Sequence, residues 1–251
     1  MRFYTILAGA LFFNIVPVLK AAPEPCSAAD LSGAYGLLQS GNIISVGPFS
    51  SVGIANFDGN GHWTLTESVS VNGELSPSVG SGDYAVNADC TGTLILRLAA
   101  STPVRNMSMI LLNYGSEIHT IVTNGGNVTT AVLKSIKSRL CTNASLKGDY
   151  SYVQNGTVVG EGPFASLGFT RFDGEGGLTT IEFTSRNGAI APDPEPVVFG
   201  SGTYQVNADC TGFATASGRR RDLVIVDRGT EYYTMVSVAG RAIPGVQKRQ
   251  E

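Results

Sequence analysis

The feature that most constrains this 251-residue chain is an internal duplication. Residues 26–91 and 141–211 carry the motifs Gly-Pro-Phe-x-Ser, Phe-Asp-Gly-x-Gly and Val-Asn-Ala-Asp-Cys-Thr in the same order. The copies are 115 residues apart, and the spacing becomes 120 after an insertion near 191–196. A period this long indicates a duplicated domain, because solenoid units run about 20–50 residues. We therefore expect two similar folds.

The first 22 residues have the organisation of an export signal: a positive charge at Arg2, an apolar run over 6–18, and small residues at 21–22. That run is shorter than the roughly 20 residues of a membrane-spanning helix, and no later segment is predicted to span. We expect a signal peptide over 1–22, a first unit over 23–125, a connector over 126–140 and a second unit over 141–251. The predicted location is outside the cell or in the lumen of the secretory pathway.

The composition, rich in Gly, Ser, Thr, Val and Asn, favours strands and turns over helices. The formal net charge is -3 and no basic stripe is present, so nucleic acid is not an expected partner. The one dense basic cluster, Arg219–Arg221, is predicted to lie in a solvated loop, with a processing-protease site as the alternative.

The four cysteines occupy matching places in the two copies: Cys26 and Cys141 at the start, Cys90 and Cys210 in the Asp-Cys-Thr motif. Of the three possible pairings, the duplication favours Cys26–Cys90 and Cys141–Cys210, because each ancestral unit would have needed its own bridge. Exported proteins meet oxidising conditions, which favour disulfides. No metal site is predicted, since the cysteines stand alone and both histidines lie outside any ligand spacing.

Four Asn-X-Ser/Thr tripeptides are candidate glycosylation sites in a eukaryotic secretory pathway. They begin at Asn106, Asn127, Asn143 and Asn155.

Each unit contains seven or eight strand signals separated by turn motifs such as Asp-Gly and Asn-Gly. Closing such a meander into a barrel removes its exposed edges. An eight-stranded barrel has room for packed side chains or one small ligand. The predicted fold is all-β, with two tandem homologous antiparallel β-barrels and a short helix near 129–140 as connector. A sandwich remains the alternative architecture. The strand over 48–57 has two apolar faces, which fits packing on one side and a cavity on the other.

The strand alternation places polar side chains on faces that are otherwise apolar. Glu67 shares a face with Trp63 and Leu65, and its copy is Glu182. A carboxylate among apolar neighbours is paired or has a raised pKa. One interpretation is an acid, base or hydrogen-bonding group inside a barrel. The other is an ion pair with Arg97 or Arg186, or exposure on the outer face.

Tyrosine and glutamine also recur on one strand face in both copies. Tyr35 and Gln39 correspond to Tyr150 and Gln154, with Tyr152 between the last two. The glutamine amides are candidate partners of the tyrosine hydroxyls, and these tyrosines suit either a binding surface or an ordinary core. His119 alternates with Glu117 and Ile121 and is a weaker candidate.

Motifs for other chemistries are missing from the sequence. There is no Gly-x-Ser-x-Gly elbow and no dinucleotide- or phosphate-binding glycine loop. The Phe-Asp-Gly-x-Gly segments lack the spaced carboxylates of a calcium loop. No cofactor is predicted.

The signature Gly-Pro-Phe-x-Ser-x-Gly, Phe-Asp-Gly-x-Gly and Gly-Ser-Gly-x-Tyr-x-Val-Asn-Ala-Asp-Cys-Thr-Gly covers most of each repeat. It resembles small exported β-barrel proteins of the lipocalin or allene-oxide-cyclase-like kind. In its duplicated, signal-bearing form the chain is similar to the secreted fungal hetero-Diels–Alderases of tropolone–sesquiterpenoid biosynthesis. That resemblance implies a cofactor-free cycloaddition between a reactive quinone methide and an alkene of a terpene.

The resemblance supplies no residue-level motif, so the site residues are predicted from strand phase alone. The catalytic candidates are Glu67, Tyr35, Gln39 and Arg97. The substrate-binding candidates are Trp63, Leu65, Tyr150, Tyr152, Gln154, Glu182 and His119. The expected partner is an apolar small molecule, and self-association into a homodimer is left open. The alternative functions are a carrier of an apolar metabolite, or a secreted structural or surface protein with solidly packed barrels.

Overall fold

A computed structural model describes residues 24–99, 104–138, 140–190 and 197–250. The predicted signal peptide over 1–22 and the insertion over 191–196 lie outside the described residues. As predicted, the chain is all-β and forms two antiparallel barrels of eight strands, barrel 1 and barrel 2. No helix among the described residues is long and apolar enough to cross a bilayer.

Barrel 1 is an up-and-down meander in which each strand pairs with the next. Its strands are β1 Ser32–Ile43, β2 Gly47–Asp58, β3 His62–Val71, β4 Glu74–Val86, β5 Thr91–Leu98, β6 Arg105–Leu112, β7 Glu117–Val122 and β8 Asn127–Ser135. Pairing of β8 with β1, which places Ala131 opposite Gln39, closes the ring.

Barrel 2 repeats this topology and adds two short strands. Its strands are β9 Lys147–Val158, β10 Gly162–Asp173, β11 Gly177–Arg186, β12 Ala189–Ile190, β13 Val197–Val206, β14 Thr211–Ala216, β15 Arg219–Val226, β16 Glu231–Val236, β17 Arg241–Ala242 and β18 Pro244–Arg249. The ring closes where β9 pairs with both β10 and β18. The two-residue strands β12 and β17 pair with β11 and β9.

The Asp-Gly hairpin turns form where the sequence predicts them. The carboxylate of Asp58 accepts hydrogen bonds from the backbone N–H groups of Asn60, at 2.7 Å, and of His62, at 3.0 Å. Asp173 does the same in the second copy. Gly59 and Gly174 have positive φ, which such turns require.

Both predicted disulfides are confirmed. Cys26 is bonded to Cys90, and Cys141 to Cys210. Each bridge ties the residues before a barrel's first strand to the turn before its fifth. In the chain-entropy model, loops of 64 and 69 residues correspond to a stabilisation of about 4 kcal/mol each.

The helix predicted near 129–140 is wrong. Residues 127–135 form strand β8, which pairs with both β1 and β7 and completes barrel 1. Thr129, Ala131 and Leu133 point into the barrel, and the residues between them point outward. A near-helical spacing of apolar residues was misleading, because Thr129, Ala131 and Leu133 also fit the period of two that a strand requires. Barrel 1 thus extends to 135, and the connector shortens to 136–140.

The two barrels pack side by side through outer strand faces. The β1–β2 face of barrel 1, with outward side chains Leu38, Val52 and Ile54, contacts the β15–β16 face of barrel 2, with Val224, Tyr233 and Met235. Gly36 permits the close approach, because a Cβ there would overlap Cγ1 of Val226. The strand over 48–57 therefore lines a filled interior with one face and packs on the other barrel with its second. On this second face, Ile54 and Asn56 also border a hollow where the barrels meet.

Candidate functional site

The interior of barrel 1 is filled by apolar and aromatic side chains. Trp63 stacks on Phe57 with ring centroids 5.7 Å apart, and its indole N–H donates to the carbonyl of Ile95 at 3.1 Å. Leu65 lies in the same cluster. The hydroxyl of Tyr35 donates to the carbonyl of Gly115 at 2.8 Å, and burial raises its pKa to about 12. These residues have the contacts of a core.

A polar layer occurs at the same level inside both barrels. It consists of a glutamate, a glutamine, a serine and a threonine, all buried, on four different strands. In barrel 1 these are Glu67, Gln39, Ser51 and Thr120; in barrel 2 they are Glu182, Gln154, Ser166 and Thr234. The serine hydroxyl donates to the glutamine oxygen at 3.4 Å in each barrel. Of the two interpretations of the glutamates, the one that places them inside a barrel is confirmed, and both glutamines lie on the interior face that carries the tyrosines.

Glu67 is 3% exposed, and neither of its carboxylate oxygens accepts a hydrogen bond from the described residues. Burial raises the pKa of this carboxyl above its ordinary range, and the smaller effects of Ser51 and Arg105 act in the opposite direction. The predicted alternative, an ion pair with Arg97 or Arg186, is wrong. Those guanidinium groups bind Asp83, at 2.8 Å, and Glu161, at 3.1 Å.

Nine interior replacements are among those that distinguish barrel 2 from barrel 1. Six apolar residues of barrel 1 are replaced by residues with polar side-chain atoms. Three further apolar residues are replaced by smaller apolar ones. The replacements, written from barrel 1 to barrel 2, are Leu37 to Tyr152, Ala55 to Thr170, Leu65 to Thr180, Met107 to Arg221, Ile118 to Tyr232, Leu133 to Gln247, Trp63 to Leu178, Leu94 to Ala214 and Leu96 to Ala216. The second interior is consequently more polar and less completely filled.

Arg221 brings a positive charge to the polar layer of barrel 2. Its Nη2 lies 3.8 Å from Oε1 of Glu182, with the two side chains 15% and 1% exposed. Neither oxygen of Glu182 accepts a hydrogen bond from the described residues. The pair is thus an ion contact without hydrogen bonds, and a buried carboxylate in this state is an available acceptor.

A chain of neutral hydrogen bonds runs beside this pair. The Gln154 amide donates to the hydroxyl of Thr234 at 3.3 Å. The amide of Gln247, oriented so that its nitrogen donates to the carbonyl of Tyr232 at 2.7 Å, accepts from Thr234 at 2.8 Å. The hydroxyl of Thr170 donates to that of Thr180 at 3.1 Å.

Burial raises the pKa of Tyr152 well above its ordinary range, and the nearby charge of Glu182 adds to the effect. Burial likewise raises the pKa of Tyr232. Both phenols therefore stay protonated at any physiological pH and remain hydrogen-bond donors.

These groups surround a void of about 20 Å³ whose lining includes Arg221, Tyr232, Thr234 and Gln247. That volume holds about one water molecule. A second hollow, of about 250 Å³, lies where the barrels meet. It is bounded by Ala34, Ile54, Asn56 and Ile136 of the first half, and by the turn at 208–211. Its volume approaches the lower end of the roughly 300–1,000 Å³ of ligand pockets.

The structure divides the predicted site residues among three places. Five lie inside barrel 1: Tyr35, Gln39, Trp63, Leu65 and Glu67. Four lie inside barrel 2: Tyr150, Tyr152, Gln154 and Glu182. Arg97 and His119 lie on the outer surface. His119 is exposed and pairs with Glu117 at 2.8 Å. The prediction that placed Arg97 beside Glu67 is wrong. His119 lies outside both interiors, and its substrate-binding role stays a prediction.

The tyrosine–glutamine pairs are also not formed. Tyr150 donates to the carbonyl of Gly229 at 2.6 Å, as Tyr35 does to Gly115, while both glutamines bind serines. These two tyrosines close one end of each barrel.

Sequence reasoning missed the interior residues of β15, β16 and β18 in barrel 2. Arg219–Arg221 begin strand β15 and do not form a loop, and Arg221 shares its inward face with Leu223 and Ile225. An alignment of β15 with β6 would have identified Arg221 as an interior residue, because Arg221 occupies the position of Met107.

The four sequons differ in their surroundings. Asn106 and Asn155 are exposed on outer strand faces, and Asn127 is half-buried at the start of β8. Both polar atoms of the Asn143 side-chain amide are hydrogen-bonded. Its nitrogen donates to the carbonyl of Glu175 at 3.2 Å, and its oxygen accepts from the N–H of Val206 at 2.9 Å. The first two are the sites with the most room for a glycan.

No protein-family model and no curated protein matches the chain. Among solved structures, the chain is similar to a protein of unknown function from the DUF3598 family of Nostoc punctiforme, with a TM-score of 0.25. The sequence identity is 10%, and the match covers 88% of this chain and 97% of that one. This likeness identifies neither a family nor an activity.

Proposed function

We propose that barrel 2 binds the oxygen-bearing end of an apolar small molecule and promotes a cofactor-free hetero-Diels–Alder cycloaddition, with barrel 1 as its structural partner. One observation carries the proposal. Barrel 1 completes the same ring of strands with apolar residues at the positions where barrel 2 has Tyr152, Arg221, Tyr232 and Gln247. Buried polar groups reduce stability unless fully paired. Barrel 1 shows that the fold forms without these polar residues, and burying them lowers the stability of barrel 2. We therefore infer that they serve a function.

The proposed chemistry uses the donors of this interior. When a quinone methide reacts with an alkene, negative charge develops on the oxygen of the heterodiene. The guanidinium of Arg221 and the phenol of Tyr152 would donate hydrogen bonds to that oxygen. Positioning both reactants lowers the entropic part of the barrier, by up to roughly 7–11 kcal/mol in the best intramolecular cases. Exclusion of water protects the quinone methide from hydration.

The proposal includes an opening of one barrel end. A void of about 20 Å³ is more than ten times smaller than a pocket for an organic ligand. Arg221 is the charged member of the layer that reaches solvent, at 15% exposure. Outward movement of this side chain would enlarge the void and admit the substrate, and its return would bring the guanidinium to the heterodiene oxygen.

The experiment generates a quinone methide in the presence of an alkene and the purified full chain, and measures the yield and stereochemistry of the cycloadduct. We expect acceleration by the wild type and a loss of at least tenfold in Arg221→Met, which installs the residue of barrel 1. Arg220→Met is the matched control, because Arg220 lies next to it on the outer surface, paired with Asp222 at 2.9 Å. It should retain full rate.

Two results would reject the cycloaddition proposal. One is the same product distribution with native and heat-denatured protein. The other is equal loss of activity in Arg221→Met and Arg220→Met, which would place the site outside barrel 2.

A second candidate function, a non-catalytic carrier of an apolar molecule, is favoured by the hollow between the barrels. At about 250 Å³ it is far larger than the interior void, and Ile54 and Ile136 give it an apolar wall. A carrier would bind the alkene without turnover and lose affinity in Ile54→Asn, while Arg221→Met would bind normally. No binding at either place would support a structural role.

We also propose that the chain is secreted from a fungal cell as a glycoprotein. The two disulfides are consistent with an oxidising compartment, and the first 22 residues have the pattern of an export signal. Expression of the full chain in a fungal host should yield secreted protein whose mass falls on treatment with an endoglycosidase. Retention inside the cell, or an unchanged mass, would contradict this.

A further inference from the structure

We infer that the chain associates with further copies of itself head to tail, through the same two kinds of strand face that join its own barrels. Inside the chain, the β1–β2 face of barrel 1 packs on the β15–β16 face of barrel 2. These faces occupy different places on the barrel, so the contact is heterologous, with no two-fold relation between the units. Each barrel therefore has one of its two faces left over.

The leftover face of barrel 2 is the equivalent of the β1–β2 face. It is the β9–β10 face, where Val153, Leu167 and Phe169 stand at the places of Leu38, Val52 and Ile54. Val153 and Leu167 pair across the strands and are 57% and 56% exposed. Phe183, opposite Leu167 on β11, continues the apolar row at 44% exposure. The corresponding residues of barrel 1 are covered.

The leftover face of barrel 1 is the equivalent of the β15–β16 face. It is the β6–β7 face, where Ile110, His119 and Ile121 stand at the places of Val224, Tyr233 and Met235. Ile110 is 57% and Ile121 51% exposed, whereas Val224 and Met235 have no exposed surface. The two exposed faces of one chain are thus counterparts of the two faces that already fit each other.

The charges at the edge of the contact repeat as well. Between the barrels, Nζ of Lys134 on β8 lies 2.7 Å from the carboxylate of Glu231 on β16. The residue equivalent to Lys134 in barrel 2 is Lys248, and the residue equivalent to Glu231 in barrel 1 is Glu117. A head-to-tail contact would place Lys248 of one chain beside Glu117 of the next. The proposed contact between chains would therefore pair a positive with a negative side chain at its edge, as the contact within the chain does.

The contact between chains should be weaker than the contact within one. Ser151 replaces Gly36, the residue that admits Val226, and His119 replaces the buried Tyr233. A bulkier and more polar surface packs less closely. We therefore expect reversible association that rises with concentration, ending in a ring or a short filament.

The test is sedimentation velocity of the full chain over a hundredfold range of concentration. We expect association of chains without a glycan at Asn106 or Asn155, because both residues point outward on β6 and β9, the strands of the two faces. The protein is therefore tested after enzymatic removal of its N-glycans, and a glycan retained at either position should block association. The wild type should associate. Leu167→Glu and Ile121→Glu should each stay monomeric, whereas Val79→Glu, an equally exposed apolar residue on β4, should behave as wild type.

Mixing the two monomeric variants separates a head-to-tail contact from a symmetric one. Each variant keeps one intact face, so an equimolar mixture should form dimers and nothing larger.

In a second experiment, Lys248→Glu and Glu117→Lys should each weaken association, and the doubly substituted chain should recover it. A monomeric wild type, a mixture that stays monomeric, or a dimer lost in one face variant only would each overturn the inference.

Discussion

At the scale of the residue, the most informative side chain is the buried carboxyl of Glu67. It lies in the polar layer with Gln39, Ser51 and Thr120, in a barrel whose interior is otherwise an apolar core, and no described residue donates a hydrogen bond to it. Period-two alternation places it on the face of Trp63 and Leu65, but the sequence alone did not decide whether that face points into the barrel. The sequence could not exclude an ion pair with Arg97, since that depends on which side of β5 faces the barrel.

Glu67→Gln should raise the stability of the protein at pH 7 but not at pH 4. Burial raises the pKa of this carboxyl in the folded protein, so the folded state holds a proton that the unfolded chain releases. The free energy of unfolding therefore falls as the pH rises from the ordinary carboxyl pKa to the raised one. Glutamine is neutral throughout and removes this loss.

The measurement is thermal unfolding of wild type and Glu67→Gln at both pH values. We expect the variant to gain about 2 °C or more at pH 7, which corresponds to roughly 1 kcal/mol for a chain of this size. Glu74→Gln, which replaces an exposed carboxylate in the same barrel, is the control. An equal gain at pH 4 would contradict the assignment of a raised pKa.

At the scale of the element, the strands were predictable and their outer partners were not. Asp-Gly turns and β-branched alternation located most strands of both copies to within a few residues. Strand β8 was mistaken for a helix, because Leu133 and Ile136 have a helical spacing whereas Ala131 and Leu133 have that of a strand, and pairing with β1 decides between them. The sequence could not predict that the outer face of β1 and β2 is buried, because it packs on β15 and β16, which lie more than 150 residues away in the chain.

Gly36→Val should loosen the joint between the barrels while leaving barrel 1 able to close. A Cβ at this position would overlap Val226 and lie 3.0 Å from Cγ1 of Val224. Overpacking of this kind costs about 1–3 kcal/mol. Gly125→Val is the matched control, since a Cβ there meets nothing within 4 Å.

Chemical denaturation measures this loss, and hydrogen exchange locates it. Protection should fall on β15 and β16 and persist on β3–β5 of barrel 1. Equal destabilisation by both valine variants would mean that Gly36 matters for strand conformation and not for the joint.

At the scale of the whole molecule, duplication makes the chain its own control. Two barrels share topology, disulfide placement and a polar layer, yet only the second carries Arg221, Tyr232 and Gln247 inside. The sequence predicted the duplication and both bridges, because motifs and cysteines align by spacing alone. It did not predict that the interiors differ, since that comparison requires the strand register of the weakly matching C-terminal halves.

The most direct test of the central claim exchanges the nine divergent interior residues of barrel 2 for those of barrel 1. Unfolding and cycloaddition rate are then measured on the same protein. We predict that the graft folds with equal or higher stability, by up to about 4 kcal/mol, because apolar replacements of buried ion pairs are neutral or stabilising. We also predict that it no longer accelerates the reaction. A graft that is strongly destabilised but remains active would show that these polar residues serve the fold, and would contradict the account.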